Sequence, residues 1–232
     1  KLAFLNSIEP FSTHRKAGNG VKKKTNYRSP GSGEAPKRAV KDFMIQKLRM
    51  FANDIESSSN FIQPTFSESS CIDDATLSGI EGVSALLTSP PYANCFDYSK
   101  IYMSELWLGD FFNSKDDQVS FRQSSVRSHV HATWASRYAD FGSQLVKELI
   151  RPHVDAQDLW SSRIGSMLEG YFSDLGYLLH EMHDKMLKGG KLGFVVGNSF
   201  YGGIPIATDL LLADLGRHYG YEVEEVCVYR GV

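Results

Sequence analysis

Apolar residues recur along the chain at two spacings, which predict a mixture of helices and strands. In residues 165–187 they recur every three or four positions, so they line one face of a long helix. The same spacing predicts helices over residues 2–8, 37–55, 98–112, 135–150 and 206–218. Short apolar runs predict strands over residues 61–66, 83–89, 191–197 and 222–230.

The order of these elements indicates an α/β fold. After residue 60 strands and helices alternate, and the strand 191–197 is almost continuously apolar. This pattern is typical of a mostly parallel sheet with helices on both faces. We expect residues 57–232 to form that domain, and residues 1–56 to be helical segments around a flexible basic loop at about 12–36.

Composition narrows the class of protein. No apolar run approaches the roughly 18 residues that a membrane-spanning helix needs, so we expect no membrane partner and a cytoplasmic location. The three cysteines, Cys71, Cys95 and Cys227, are odd in number and far apart. Their spacing argues against a disulfide framework and against a zinc site, and we expect no metal.

The strand 83–89 ends in Ser89-Pro90-Pro91-Tyr92, at the edge where open α/β sheets bind ligands. Two prolines fix φ at successive positions and remove two backbone donors, which leaves the carbonyls of Ser89 and Pro90 as acceptors on a stiff turn. Such acceptors suit the exocyclic amino group of a nucleobase, whose lone pair would be directed toward an electrophile while Tyr92 stacks on the base. The alternative is a rigid structural turn.

Ser89-Pro90-Pro91-Tyr92 resembles the catalytic motif of S-adenosylmethionine-dependent DNA amino-methyltransferases, in which Ser, Asn or Asp precedes Pro-Pro and an aromatic residue. Residues 89–109 and 186–215 are similar to this family in layout, and the resemblance covers about residues 60–230. It implies a Rossmann-like fold, S-adenosylmethionine as cofactor and a flipped DNA base as substrate. The Ser form is most similar to the N4-cytosine enzymes, whereas Asp or Asn is more typical of the N6-adenine enzymes.

The resemblance also implies roles for individual residues. Ser89, Pro90, Pro91 and Tyr92 would be catalytic. Glu68, Ser69 and Thr88 would contact the cofactor, although Glu68 and Ser69 also suit an ordinary loop.

The family's glycine-rich cofactor loop is not found, because the glycines of residues 17–24 follow no predicted strand. We expect that part to precede Lys1, to follow Val232 or to come from a partner chain, so that this chain alone is an incomplete enzyme. Besides DNA, the expected partners are a restriction endonuclease or a second methyltransferase segment. Alternatives are an N6-adenine DNA methyltransferase, an RNA amino-methyltransferase and an incomplete, non-catalytic nucleic-acid-binding subunit.

A basic segment favours a nucleic-acid partner. The formal net charge of the chain is −2, yet Pro10 to Arg49 holds eleven Lys and Arg residues against two acidic residues, a net charge of +9. A block this basic attracts polyanions, although a solvated tail is the alternative. The residues predicted to contact phosphates are Arg15, Lys16, Lys22, Lys23, Lys24 and Arg28, with Arg122 and Arg127 in the polar stretch 121–134.

Overall fold

The structure, a computed structural model, describes residues 1–18, 20–25, 34–57, 62–133 and 138–228. The chain divides into two compact units. Unit 1 consists of Lys1–Phe66 and Asp97–Gln118, and unit 2 consists of Ser67–Phe96 and Val119–Val232.

The described residues form nine helices and six short strands. The helices are α1 (Leu2–Phe11), α2 (Glu34–Glu56), α3 (Asp74–Ser78), α4 (Tyr98–Ile101), α5 (Met103–Leu108), α6 (Lys115–Ser124), α7 (Arg151–Asp155), α8 (Ile164–Lys185) and α9 (Thr208–His218). The strands are β1 (His14–Ala17), β2 (Gly20–Lys23), β3 (Val83–Thr88), β4 (Met186–Phe194), β5 (Ser199–Tyr201) and β6 (Ile204–Ile206). A 3-10 turn at Ala139–Phe141 and a π-helical turn at Val146–Ile150 precede α7.

The core of unit 2 is built around α8, of whose 22 residues fifteen are buried. A helix that is buried nearly all round lies inside a core rather than on a surface. Gly176 lets a neighbouring turn approach closely, since a Cβ there would lie 1.9 Å from the Phe141 carbonyl oxygen. α8 therefore supplies much of the buried core of unit 2, against which Leu86, Leu192 and Phe194 pack.

A buried ion pair joins α8 to the segment after α6. The guanidinium of Arg127 donates from Nε and Nη2 to the two carboxylate oxygens of Asp174, at 3.1 and 2.8 Å, and the Arg127 backbone N–H donates to the same carboxylate at 2.8 Å. Asp174 is fully buried. Gly170 gives the arginine side chain room, because a Cβ at that position would lie 2.7 Å from Arg127 Cδ.

The described strands form three separate two-stranded sheets. In unit 2, β3 and β4 run parallel, with Leu86 opposite Leu192 and Thr88 opposite Phe194, and these four residues face the core or its margin. The other face of this sheet is exposed: Leu87 is 80% and Val195 57% accessible. The remaining sheets are the antiparallel hairpins β1–β2 and β5–β6.

The structure confirms a mixed α/β architecture and the helices predicted near 2–8, 37–55, 165–187 and 206–218. It also confirms the strand at 83–89 and, as the end of β4, a strand over the first part of 191–197. The helix expected over 98–112 is present as α4 and α5. In place of the predicted mostly parallel sheet with helices on both faces, the described residues contain one parallel strand pair, β3–β4, with one of its faces covered. No helix of the described residues is both long and apolar enough to cross a bilayer.

Three local predictions differ from the structure over the residues described. Residues 62–66 lie outside regular structure, since Pro64 cannot donate to a ladder and both Ile62 and Phe66 are exposed. Residues 222–228 also form no strand, and 229–230 lie outside the described residues, as do 61 and 134–137. The helix predicted over 135–150 is present from residue 144, where a helical stretch that includes the π-helical turn Val146–Ile150 continues into α7. Before residue 144 there is a 3-10 turn at Ala139–Phe141, because Tyr138 has φ +54° and Gly142 interrupts the run.

The predicted loop 12–36 contains the β1–β2 hairpin, whose turn includes Gly18 at φ +55°; residues 26–33 lie outside the described residues. The glycines of residues 17–24 therefore do follow a strand, but the strand after them is its antiparallel partner. A cofactor loop of the glycine-rich kind opens a helix instead.

Candidate active site

The Ser89-Pro90-Pro91-Tyr92 turn begins at the carboxyl end of the parallel strand pair. The Val195 N–H donates to the Thr88 carbonyl at 2.9 Å, which continues the pairing one residue beyond β4. The Ser89 hydroxyl donates to the Val195 carbonyl at 3.3 Å. Ser89 and Val195 each directly follow the last paired residue of their strand. Their hydrogen bond therefore fixes the position at which the turn begins.

Ser89 presents an acceptor to solvent. Its side chain is exposed, and its one hydroxyl hydrogen points at Val195. A hydroxyl oxygen keeps its lone pairs for acceptance when its hydrogen is donated. The contact with Val195 therefore orients Ser89 Oγ as an acceptor.

The remaining residues of the turn are stiff and partly covered. Pro90 is buried, while Pro91 and Tyr92 are half-buried. The Tyr92 ring packs on Gly197, where an added Cβ would lie 3.0 Å from Cδ2 and 3.4 Å from Cε2. Glycine at 197 thus lets backbone support one side of the ring.

A second set of contacts fixes the chain directly after Tyr92. Ala93 is fully buried, and its carbonyl accepts the hydroxyls of Ser199 at 2.8 Å and Tyr201 at 2.9 Å. The Tyr201 hydroxyl also lies 3.4 Å from the Cys95 sulfur. Cys95 adopts the left-handed backbone region with φ +59°, which a side-chain-bearing residue occupies only when its surroundings hold it there.

The titratable groups of this cluster are neutral at physiological pH. Burial, reinforced by the hydrogen bond with Cys95, raises the pKa of Tyr201 far above its ordinary value. Burial also raises the pKa of the Cys95 thiol, an effect that the hydrogen bond with Tyr201 partly offsets. Since a thiolate is the nucleophilic form, this environment gives Cys95 a packing role.

The predicted cofactor residues fall in two places. Thr88 is the last residue of β3 and adjoins the motif turn, with its side chain half-buried. Glu68 and Ser69 lie exposed on an irregular segment, where the hydroxyls of Ser67 and Ser69 are hydrogen-bonded to each other. A cofactor role for all three stays a prediction.

The hairpin residues that are predicted to contact phosphates differ in how far their side chains are exposed to solvent. Arg15 and Lys22 are exposed and directly opposite each other in the β1–β2 register, and Lys23 is exposed beside them. Like charges opposite each other on a hairpin repel, so an anion between them would relieve that repulsion. A phosphate contact by these three side chains stays a prediction.

The two other lysines of the hairpin region stabilise unit 1 itself. The ammonium of Lys16 pairs with Glu105 and lies 4.1 Å from the centre of the Tyr102 ring. Lys24 donates to the Glu9 and Pro10 carbonyls, at 2.7 and 3.3 Å, near the end of α1. Because the ammonium groups of Lys16 and Lys24 already bind acceptors within unit 1, they are less available to a phosphate than those of exposed lysines.

The other predicted phosphate contacts are less accessible or lie outside the described residues. Arg122 is half-buried on the last turn of α6, and Arg127 is buried in the ion pair with Asp174. A phosphate could engage Arg127 only by displacing that carboxylate. Arg28 lies outside the described residues.

Sequence reasoning gave no role to Gly197, Ser199 and Tyr201. A signal was present: Ser199 and Tyr201 are alternate residues directly before Gly202-Gly203, a two-glycine turn. Both glycines have positive φ, +58° and +82°, as such a hairpin turn requires. The hairpin was predictable in principle, whereas its contact with Ala93 was not.

Comparison with known proteins places these features in a wider context. The chain is 26% identical over 251 residues to type II methyltransferase M.AvaI from Nostoc sp. (strain PCC 7120) and from Anabaena variabilis, covering 98% of this chain and 52% of each relative. It is also 26% identical over 215 residues to type II methyltransferase M.BsoBI from Geobacillus stearothermophilus, covering 82% of this chain and 42% of that protein.

No family model matches the chain, and no solved structure matches it significantly. The chain spans about half the length of the curated relatives that it matches. The comparisons therefore support a relationship to the type II methyltransferases along nearly the whole of this chain.

Proposed function

We propose that this chain carries the base-binding part of an S-adenosylmethionine-dependent DNA methyltransferase with a Rossmann-like fold, and that the acceptor nitrogen is N4 of cytosine. The observation that carries the proposal is the turn at residues 89–92, where Ser89 Oγ is oriented as an acceptor and the Tyr92 ring is seated on Gly197. The similarity to type II methyltransferases supports the reaction class. Serine in the first position of the turn favours cytosine over adenine.

The chemistry follows from the turn. The target base leaves the duplex, because its amino group is otherwise occupied by base pairing. Ser89 Oγ and the Pro90 carbonyl accept the two amino hydrogens, which directs the nitrogen lone pair out of the ring plane. Tyr92 stacks on the base and keeps the nitrogen in line for a direct displacement.

S-adenosylmethionine, when bound, supplies a methyl group activated by its positively charged sulfur. The amino nitrogen held by Ser89 and the Pro90 carbonyl would accept that methyl group, with the electron pair of the broken carbon–sulfur bond left on sulfur. One amino proton leaves to solvent after transfer. This chain's residues hold and orient the nitrogen, and no covalent intermediate is needed.

The described residues fit the cofactor only in part. Thr88 stands at the carboxyl edge of β3, where open α/β sheets bind ligands. The glycines of residues 17–24 lie in the β1–β2 hairpin, so they do not form a glycine-rich turn that opens a helix. We propose that a further methyltransferase segment completes the cofactor site, and the exposed outer face of the β3–β4 sheet, with Leu87 and Val195, gives such a segment an apolar surface.

The proposed DNA contact is the exposed basic cluster of Arg15, Lys22 and Lys23 on the β1–β2 hairpin. Phosphate contacts of this kind hold a duplex without reading its sequence. The partner in the cell would be a restriction endonuclease of the same specificity, from which methylation protects the host DNA.

Methyl transfer by the full-length protein tests the proposal. The protein is incubated with S-adenosylmethionine carrying a tritiated methyl group and, in separate reactions, with bacterial DNA and with RNA, and the nucleosides are separated and identified by mass. N4-methylcytosine is expected, and Ser89→Ala should lower its formation while Tyr221→Phe, a change outside the motif turn, should not. N6-methyladenine would overturn the choice of base. A product only in RNA, or DNA binding without any product, would overturn the proposed reaction in favour of an RNA enzyme or of a binding subunit.

A further inference from the structure

The segment that follows β4 supports the motif turn at three points. Gly197 lies against the Tyr92 ring, and the hydroxyls of Ser199 and Tyr201 both donate to the Ala93 carbonyl. These contacts join residues more than a hundred positions apart in the sequence. One short stretch, residues 197–201, therefore serves as the seat of the turn.

Two donors on one carbonyl constrain the backbone strongly. A carbonyl oxygen has two lone pairs, and here both are used by side chains, so the peptide plane between Ala93 and Asn94 cannot rotate without losing a bond. The Asn94 N–H in turn donates to the Tyr92 carbonyl at 2.8 Å. The backbone on the carboxyl side of Tyr92 is thereby fixed in orientation.

The seat is itself well supported. β5 pairs with β6, where Ile206 is fully buried in the core of unit 2. At the hairpin turn, the Gln157 side chain packs against Gly202, where an added Cβ would lie 2.7 Å from Gln157 Cγ. Ser199 and Tyr201 are both buried, so solvent does not compete for their hydroxyls.

We propose that Ser199 and Tyr201 are positioning residues: they hold the Ala93 carbonyl so that Tyr92 and the Pro90 carbonyl keep the geometry that methyl transfer requires. This role rests on the proposed function. Neither hydroxyl touches the base, and each acts through the backbone of the turn. Their loss should slow transfer after the substrates have bound, because effects of misplacement appear in kcat more than in KM.

The test combines hydrogen exchange with kinetics on the full-length protein. The variants are Tyr201→Phe, Ser199→Ala and the double change, and Ser199→Thr is the conservative variant that retains a hydroxyl. Tyr221→Phe is the matched control, because Tyr221 also donates its hydroxyl to a buried-helix carbonyl, that of Leu179, at 2.9 Å. The matched variants therefore lose the same kind of hydrogen bond, and only the changes at 199 and 201 involve the turn.

We expect amides of the peptide spanning residues 88–96 to exchange about tenfold faster in Tyr201→Phe, and faster still in the double variant. Exchange in that peptide should be unchanged in Tyr221→Phe. With DNA and S-adenosylmethionine, kcat of Tyr201→Phe should fall about tenfold while both KM values stay within about twofold. Ser199→Thr should retain the parental values more closely than Ser199→Ala.

The two arms separate the inference from the function on which it rests. Parental exchange of residues 88–96 in the Tyr201→Phe and Ser199→Ala variants would overturn the positioning role, whatever the activity. A parent protein that methylates nothing would overturn the proposed function, and the exchange result would still decide whether the seat holds the turn. Faster exchange with unchanged kcat would show a structural support only and would also overturn the positioning role.

Discussion

At the scale of single residues, Tyr92 offers a direct test of stacking. Its ring is half-buried against Gly197, so one face is supported by backbone. Tyr92→Phe keeps the ring and should retain most activity. Tyr92→Ala should lose roughly 1 to 3 kcal/mol of stacking, about ten- to hundredfold in rate or affinity. Methyl transfer measured beside thermal melts checks this, and an alanine variant as active as the parent would show that the ring does not hold the base.

Cys95 provides a test of the seat that needs no substrate. Its side chain is buried, and burial raises the pKa of its thiol, so the reactive thiolate is scarce at neutral pH and difficult to reach. The exposed Cys227 is the internal reference, although a hydrogen bond with Glu225 raises its pKa as well. In the native protein iodoacetamide should modify Cys95 at least about tenfold more slowly than Cys227.

The difference in thiol reactivity should have two further properties. In denaturant the two rates should converge, because burial no longer separates the two thiols. Loss of the Tyr201 hydrogen bond raises the pKa of the Cys95 thiol further, so a faster Cys95 rate in Tyr201→Phe would report easier access to the thiol. Peptide mass spectrometry after timed labelling measures both rates, and equal native rates would contradict the buried position of Cys95.

The residues of the motif turn could be recognised from sequence, while the residues that support it could not. Two adjacent prolines restrict the backbone through their own covalent structure, so Ser89-Pro90-Pro91-Tyr92 indicates a stiff acceptor turn in isolation. Ser199 and Tyr201 act through contacts with a residue 106 and 108 positions away, and no local rule predicts such a pairing. Arg127 shows the converse, since a basic residue in a polar stretch is buried against a carboxylate of α8.

At the scale of elements, α8 depends on the Arg127–Asp174 pair for its fit to the segment after α6. Asp174→Ala removes the carboxylate that accepts both guanidinium contacts of the buried Arg127, and breaking a buried pair in this way should lower the free energy of unfolding by about 3 to 5 kcal/mol. The matched control is Glu224→Ala, which removes the exposed pair with Lys191 and should change it by about 1 kcal/mol or less. Urea unfolding measures both, and similar small losses would show that the buried pair adds little.

Long stretches in which apolar residues repeat at helical spacing were predicted well, whereas short apolar runs were predicted unevenly: two of the four, at 83–89 and 191–197, contain strand residues. α8 and α9 present the repeated spacing of residues that face a core, a signal that many positions share. The runs 61–66 and 222–230 contain only a few apolar residues each, and a strand also needs a partner to accept its hydrogen bonds. Whether a partner strand lies alongside depends on the whole fold. A short apolar run therefore cannot decide by itself whether a strand forms.

At the scale of the whole molecule, chain order and spatial grouping differ. Residues 97–118 follow the motif in sequence yet belong with residues 1–66 in unit 1, while residues 67–96 belong with 119–232 in unit 2. The predicted boundary between residues 56 and 57 stays a prediction. The chain passes between the units directly after the motif turn.

The basic hairpin of unit 1 gives the molecule a site for a sequence-independent contact with DNA. Arg15, Lys22 and Lys23 are exposed, whereas Lys16 and Lys24 are engaged within the unit. Changing the three exposed residues to Glu should weaken binding to any duplex and reduce the slope of log K against log salt by about 0.9 for each phosphate that the protein no longer neutralises. The control reverses three exposed lysines elsewhere, Lys115, Lys147 and Lys188, which alters the net charge equally.

Titration of a labelled duplex at several salt concentrations distinguishes a local contact from a general effect of charge. If the hairpin contacts DNA, its variant should bind more weakly and show a smaller slope of log K against log salt. The control should keep the parental slope, because charges that do not contact DNA release no counterions from it. Lys16 and Lys24 are left unchanged so that α1 and the hairpin stay joined and the comparison concerns phosphate binding alone. Equal losses in both variants would mean that net charge alone steers binding, and a parental slope in the hairpin variant would remove Arg15, Lys22 and Lys23 from the DNA contact.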